Sequence, residues 1–315
     1  MRTRWCAALL ALACLPALAA DRLPALRARA QEVTVSGLSS GGYMAVQVHV
    51  AHSSIVSGAG VIAGGPYYCA QGSLATASYN CMNPGGWTPL PSIEFLRAET
   101  EILAAAGRID PTANLAAARA WLFTGTQDRT VYPAVVIALK AYYASYGTSV
   151  KLVADKPVGH AMVDEDALGE LLKYLGFAHP PAVKAAGNIA AFDQNPFAGG
   201  DAYAISMNDT GYVYVPKACA AGDCRVHVAF HGCRQNGEDF PRDAGYNRWA
   251  DTNSRIVLYP QTVARSGWCF RCWNLVYNPR ACWDWWGYTS AEYHTQRGAQ
   301  VRAVKAMLDR LSARQ

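Results

Sequence analysis

Apolar and polar positions fall into short blocks along the chain, and glycine-containing turns punctuate them. Residues 32–35 are a β-prone run that leads into Gly37-Leu38-Ser39-Ser40-Gly41, after which residues 43–52 continue with helix-compatible spacing. Residues 54–63 read as a buried strand ending in Gly64-Gly65-Pro66, followed by a loop-rich stretch. The spacing then predicts a helix over 91–106, a strand over 118–125 with Asp128 just beyond it, and a helix opened by Pro133 and running to 146. A strand over 149–154 leads into Pro157-Val158-Gly159-His160, and a helix over 164–175 follows. Residues 178–200, rich in Ala, Pro and Gly, are the linker candidate. Beyond them, strands are expected at 211–216, 225–230 and 256–259, a turn at His231-Gly232-Cys233, a helix at 246–253 and an amphipathic helix over 291–311. Strands alternating with helices in this way predict an α/β fold with a mostly parallel central sheet flanked by helices.

The N-terminus changes the picture of where the chain works. Arg2 and Arg4 precede an apolar run from Trp5 to Leu18 and the small residues Ala17-Leu18-Ala19-Ala20, the layout of a secretory signal peptide over residues 1–20. The run is shorter than the roughly 20 residues needed to span a bilayer, and Pro16 interrupts it, so a secreted chain without a stable membrane anchor is expected. Residues 21–315 suffice for one large α/β domain or two smaller ones. The net charge of +5 is dispersed without a basic block, which argues against a nucleic-acid partner.

Of the ten cysteines, Cys6 and Cys14 fall in the leader. Cys69, Cys81, Cys219, Cys224, Cys233, Cys269, Cys272 and Cys282 remain, and an even number in an exported chain reads as disulfides. Proximity pairs Cys69 with Cys81 and Cys219 with Cys224. The Cys269-x-x-Cys272 spacing also fits half a zinc site or a redox pair. No His-x-His or second Cys-x-x-Cys completes a tetrahedral set, so no metal is expected, and nothing signals an organic cofactor.

A serine hydroxyl is a poor nucleophile at neutral pH. It needs a base, a group to hold that base, and donors for the developing oxyanion. Ser39 alone among Ser36, Ser39 and Ser40 has glycines two before and two after it, between a predicted strand and helix, which is the context of a nucleophile elbow. In the α/β-hydrolase arrangement the chain order is nucleophile, acid, histidine, and Ser39, Asp128 and His160 satisfy it, with Asp128 and His160 both after the carboxyl ends of strands. Asp155, Asp164 and Asp166 lie so close to His160 in sequence that helix capping or surface solvation accounts for them. His49, His52, His179, His227, His231 and His294 are read as structural.

The oxyanion hole takes one amide from the residue after the nucleophile, here Ser40, and one from a loop after an early strand. The good candidate for that loop, Val228 to Cys233, comes long after the serine, and the final helix has the place in order that would lead into the serine strand. Circular permutation removes both oddities. The first half of the sheet then stands at the C-terminus, with 178–200 bridging the old ends, and the two apparent halves form a single domain over 21–315.

With these motifs in hand, the sequence resembles the circularly permuted, single-domain polyhydroxybutyrate depolymerases. The resemblance rests on Gly-Leu-Ser-Ser-Gly-Gly-Tyr-Met at 37–44, Thr-Gly-Thr-Gln-Asp at 124–128, Gly-His at 159–160, His-Gly-Cys at 231–233 and Asn-Pro-Arg-Ala-Cys-Trp-Asp-Trp-Trp at 278–286. It implies extracellular or periplasmic hydrolysis of poly(3-hydroxybutyrate) to monomers and short oligomers. Carried over by position, the triad falls on Ser39, Asp128 and His160, and the oxyanion donors on Ser40 and Cys233. The resemblance further implies a Cys233–Cys282 bridge that places Trp283 beside the cleft as a substrate contact.

Independently of the resemblance, Trp268, Trp273, Trp283, Trp285, Trp286 and Tyr288 concentrate aromatic area that suits an uncharged apolar chain. No separate polymer-binding domain is visible, so amorphous polymer or soluble oligomers are at least as well suited as crystalline polymer. The chain is expected to be a monomer. The alternatives are another secreted carboxylesterase, of feruloyl or acetylxylan type, and a disulfide-stapled binding protein with a vestigial triad. A polar, sugar-stacking cleft would favour the first. Failure of an organophosphonate to label Ser39 would favour the second.

Overall fold

The computed structural model describes residues 20–269 and 274–314. The leader reading over residues 1–20 lies, but for Ala20, outside the described residues, as do Cys272 and Trp273. Eight strands form one sheet: β1 (Arg29–Leu38), β2 (Val56–Ile62), β3 (Arg119–Phe123), β4 (Ser149–Val153), β5 (Asn188–Asp193), β6 (Thr210–Val215), β7 (Arg225–Phe230) and β8 (Arg255–Tyr259). Their spatial order is β4-β3-β2-β1-β7-β8-β6-β5. The six strands from β4 to β8 in that order are parallel, and β6 and β5 close the edge antiparallel. Two further strands, β9 (Arg265–Cys269) and β10 (Asn274–Asn278), make a separate antiparallel pair.

The helices are α1 (Ser40–Ala51), α2 (Leu74–Tyr79), α3 (Ile93–Ala105), α4 (Pro133–Ala144), α5 (Glu165–Tyr174), α6 (Asp239–Asp243), α7 (Tyr246–Asn253) and α8 (Ala299–Ser312). All residues of α1 are buried, which is why its sequence is apolar all round instead of showing a polar face. By contrast α5 is amphipathic, and the Asp164 side chain caps it by accepting from the Ala167 amide at 2.8 Å. Among the described residues no helix is long and apolar enough to cross a membrane.

Several elements differ from the sequence expectation, among them the short helices α2 and α6, which stand where only loop was expected. The segment 178–200 is not simply a linker, because β5 lies within it and pairs along its whole length with β6. Its half-exposed Asn-Ile-Ala-Ala-Phe-Asp carries little apolar pattern, as befits an edge strand. The last helix begins at Ala299, eight residues later than expected from its pattern. Ahead of it, Thr295 and Gly298 close turns on Glu292 and Thr295, and a Cβ on Gly298 would lie 2.2 Å from the Tyr293 carbonyl oxygen. The β9–β10 pair has no counterpart in the sequence expectation.

The start and end of the described chain run side by side. The amides of Leu26 and Ala28 both donate to the Leu311 carbonyl at 3.0 Å, and that of Arg27 to Ala313 at 3.2 Å. Disulfides join Cys69 to Cys81, Cys219 to Cys224 and Cys233 to Cys282.

Candidate active site

Ser39 stands between the end of β1 and the start of α1 with φ 56° and ψ −122°, a backbone conformation that costs an L-residue energy. The fold holds it there: its amide donates to Ile62 at 2.9 Å and its carbonyl accepts from Tyr43 at 3.0 Å. The two motif glycines are required by close backbone approach. A Cβ on Gly37 would lie 2.3 Å from the Gly41 carbonyl oxygen, and one on Gly41 would lie 2.3 Å from that of Phe230 and 2.5 Å from that of His231. Gly41→Ala is therefore expected to destabilise the protein by about 3 kcal/mol. Gly85→Ala, where a Cβ meets nothing, should leave the urea midpoint unchanged.

Asp128 follows β3 and His160 follows β4, and their loops are tied together. The amide of Thr126 donates to Lys156 at 2.8 Å, and that of Gln127 to Val158 at 3.1 Å. The contact is so close that a Cβ on Gly125 would lie 2.0 Å from the Val158 carbonyl oxygen. Asp128 Oδ2 consequently meets His160 Nδ1 at 2.8 Å, while Oδ1 accepts from the amides of Thr130 and Val131 at 2.8 and 2.9 Å. Burial on its own would raise the Asp128 pKa, but the hydrogen bonds from His160, Thr130 and Val131 outweigh it and hold the carboxyl below its ordinary value. An ionised Asp128 fixes the His160 proton on Nδ1 and leaves Nε2 free to accept.

The loop after β7, the neighbour of β1, brings Cys233 beside the serine turn. His231 shapes this loop. Its Nε2 accepts from the Thr262 amide at 3.1 Å, so Nδ1 carries the proton and donates to the Gly232 carbonyl at 2.7 Å. Burial pushes the His231 pKa down to about 4, which makes it a neutral structural group. The Gly232 amide donates to Gln235 Oε1 at 2.8 Å. At the other side Ser40 opens α1, where a first-turn amide has no acceptor within the helix.

Ser39, His160 and Cys233 open on one cavity of about 560 Å³. Its lining includes Leu38, Leu74, Met82, Val131, Trp285 and Trp286, together with Arg234, Gln235, Asn278 and Arg280. The Cys69–Cys81 bridge brackets α2 and so staples the wall that carries Leu74. Trp285 stacks on Tyr43 with ring centroids 3.9 Å apart.

The expected substrate contact at Trp283 is corrected. Its side chain is 0% exposed and does not line the cavity, and its Nε1 donates to the His231 carbonyl at 3.1 Å. It buttresses the loop that carries Cys233, and the next two tryptophans in the chain face the cavity instead.

Asp284 decides which tryptophans do so. Its carboxylate accepts from the amides of Gly287, Tyr288 and Thr289 at 2.8, 2.9 and 2.9 Å, and from the Thr289 hydroxyl. Burial raises its pKa to about 6 against the pull of these bonds. Asp284→Ala would leave the three amides unpaired and should cost about 3 kcal/mol. It should also raise KM for an ester more than it lowers kcat, because it releases the turn that holds Trp285 and Trp286.

A mostly parallel sheet with a strained serine at the carboxyl end of a central strand, and an Asp-His pair at the ends of the strands beyond it, defines an α/β-hydrolase. No protein-family model matches the chain. The chain is 41% identical over 328 residues to the poly(3-hydroxybutyrate) depolymerase of Delftia acidovorans, covering 94% of this chain and 62% of that protein. It is 35% identical over 321 residues to the polyhydroxybutyrate depolymerase of Talaromyces funiculosus, covering 91% of each. The crystal structure of the PHB depolymerase from Penicillium funiculosum matches with a TM-score of 0.80 and 32% identity over 93% of this chain and 99% of that one. A serine-to-alanine PHB depolymerase complexed with an R3HB trimer matches equally well. The chain belongs to the polyhydroxybutyrate depolymerase family.

Proposed function

We propose that this protein hydrolyses the ester bonds of poly(3-hydroxybutyrate) and its oligomers through Ser39, His160 and Asp128. The observation that carries the proposal is the cavity itself, in which a strained serine and an aspartate-held histidine open on a lining that combines Leu38, Leu74, Met82, Val131, Trp285 and Trp286 with the polar Arg234, Gln235, Asn278 and Arg280. The apolar part of this lining suits the aliphatic repeat of a polyester, and the polar part supplies donors for its ester carbonyls. The R3HB trimer bound to the relative is a ligand of the size and chemistry proposed here.

In the proposed reaction His160 Nε2 takes the Ser39 proton as Oγ attacks the ester carbonyl carbon. The Ser40 and Cys233 amides hold the resulting oxyanion. As the intermediate collapses, the bond to the ester oxygen breaks and His160 passes the proton to the departing alkoxide, which leaves as a hydroxyl-ended chain while the acyl group stays bound to Ser39 Oγ. Water, deprotonated by His160, then attacks the acyl carbon, and the returned proton restores the serine as a carboxylic acid end is released. Asp128 stays ionised throughout and stabilises the imidazolium.

The proposal includes an exported chain, in keeping with the three disulfides among the described residues, and a single circularly permuted domain. Permutation is supported by the adjacency of Leu26 and Ala28 to Leu311 and by the position of β7 next to β1 despite their distance in sequence. The test is incubation with an organophosphonate and, separately, with an R-3-hydroxybutyrate trimer. Stoichiometric labelling of Ser39 together with release of monomer and dimer is expected. An intact trimer with an unlabelled Ser39 would overturn the proposal and favour a binding protein.

A further inference from the structure

At the opposite end of the sheet from Ser39 lies a second cavity, of about 350 Å³, at the amino ends of β2, β3, β7 and β8. Three arginines line it, Arg119, Arg225 and Arg255, with Glu32 as the one acidic residue of the lining. Its carboxylate is already engaged by Arg225 Nε. Leu175 and Gly176, just past α5, close the wall.

Arg255 is the informative residue, because it is only 3% exposed. Arginine is seldom buried without an acidic partner, since desolvating the cation is costly. Yet its hydrogen bonds run to neutral oxygens: Nη2 to the Gly176 carbonyl at 3.0 Å and Nη1 to the Thr34 hydroxyl at 3.4 Å. The guanidinium also lies 4.4 Å from the Phe177 ring centroid. Among the described residues no carboxylate forms a salt bridge with Arg255 or with Arg119. Burial first, and then the neighbouring Arg225 cation, push the Arg255 pKa down to about 10 against the smaller opposing pull of Glu32. The wall is also shaped to the group, since Gly176 has φ +89° and a Cβ there would lie 3.4 Å from Arg255 Nη2.

We propose that this cavity binds a small oxyanion, a carboxylate or a phosphate, between the guanidinium groups of Arg255 and Arg119. A planar guanidinium presents paired donors that match two oxygens of such an anion. The excess of positive charge in a partly enclosed site supplies the attraction. The proposal does not depend on the reaction assigned to Ser39, from which the site is separated by the length of the sheet.

The test is calorimetric titration of the intact protein with inorganic phosphate and, in a second arm, with 3-hydroxybutyrate, against sodium chloride at matched ionic strength. Saturable binding of either oxyanion, absent with chloride, is expected. Binding of phosphate alone or hydroxybutyrate alone supports the site and identifies which source of the oxyanion it takes. Arg119→Gln, an exposed change at the cavity mouth, should weaken the dissociation constant at least about tenfold and leave hydrolysis of a soluble ester unchanged. Arg255→Lys, which keeps the charge and loses the fork, should weaken it as well. An equal response to chloride, no saturable binding, or an unchanged affinity in Arg119→Gln would overturn the proposal.

Discussion

Ser39→Ala is expected to lower ester turnover about a millionfold while leaving the urea midpoint close to wild type. Alanine keeps the Cβ that the strained φ of 56° already accommodates, so the turn is not altered and only the nucleophile is removed. The two nearby serines cannot substitute for it. Ser36 Oγ is held at 2.8 Å by both His227 Nε2 and the Tyr246 hydroxyl in a buried network. Ser40 Oγ is buried and has no hydrogen-bond partner among the described residues. Stopped-flow acylation with a chromogenic butyrate ester measures the loss directly. A drop of less than about a hundredfold would mean that another group carries the attack.

Asp128→Asn is expected to cost about ten-thousandfold in kcat with little change in KM. The asparagine oxygen would still accept from the Thr130 and Val131 amides, which turns its NH2 towards His160 Nδ1. Nδ1 must then accept, the ring proton moves to Nε2, and the nitrogen that should take the Ser39 proton is occupied. The same substitution has a stability signature. Asp128 has a lower pKa folded than unfolded, so its contribution is fully present above the unfolded value of about 4 and is lost as the pH falls through the folded value. The stability gap between wild type and Asp128→Asn should therefore be constant around neutrality and narrow on acidification below about pH 4. Urea midpoints of both proteins from neutral to acid pH check this, and a gap that widens in acid would contradict it.

The strands that precede Ser39, Asp128 and His160 were legible from short β-prone runs that end in turn residues: Gly37 at the end of β1, Gly125 after β3, and the Pro157-Val158-Gly159 loop after β4. The Gly37 and Gly41 spacing was legible because backbone atoms occupy the space a side chain would need. The walls of the cavity were not legible. In Trp283-Asp284-Trp285-Trp286 nothing local says which ring faces inward, because the choice is made by a carboxylate that reaches forward to residues 287–289 and by an indole that reaches back to His231. Likewise α2 is a six-residue helix inside a disulfide loop, too short for its period to show, yet it supplies Leu74 to the wall. The edge strand β5 is not legible because an antiparallel edge gains its stability from pairing with β6, not from an apolar pattern of its own.

The central claim is that this cavity is built for an aliphatic polyester, and one comparison tests it most directly. Purified wild type and Ser39→Ala would be given amorphous poly(3-hydroxybutyrate) granules alongside feruloyl and acetyl-xylan esters, with kcat/KM measured on the soluble R-3-hydroxybutyrate trimer as reference. Clearing of the granules that disappears with Ser39→Ala, and a marked preference for the trimer over the sugar esters, is the predicted result. Intact granules with Ser39-dependent cleavage of the sugar esters would contradict it.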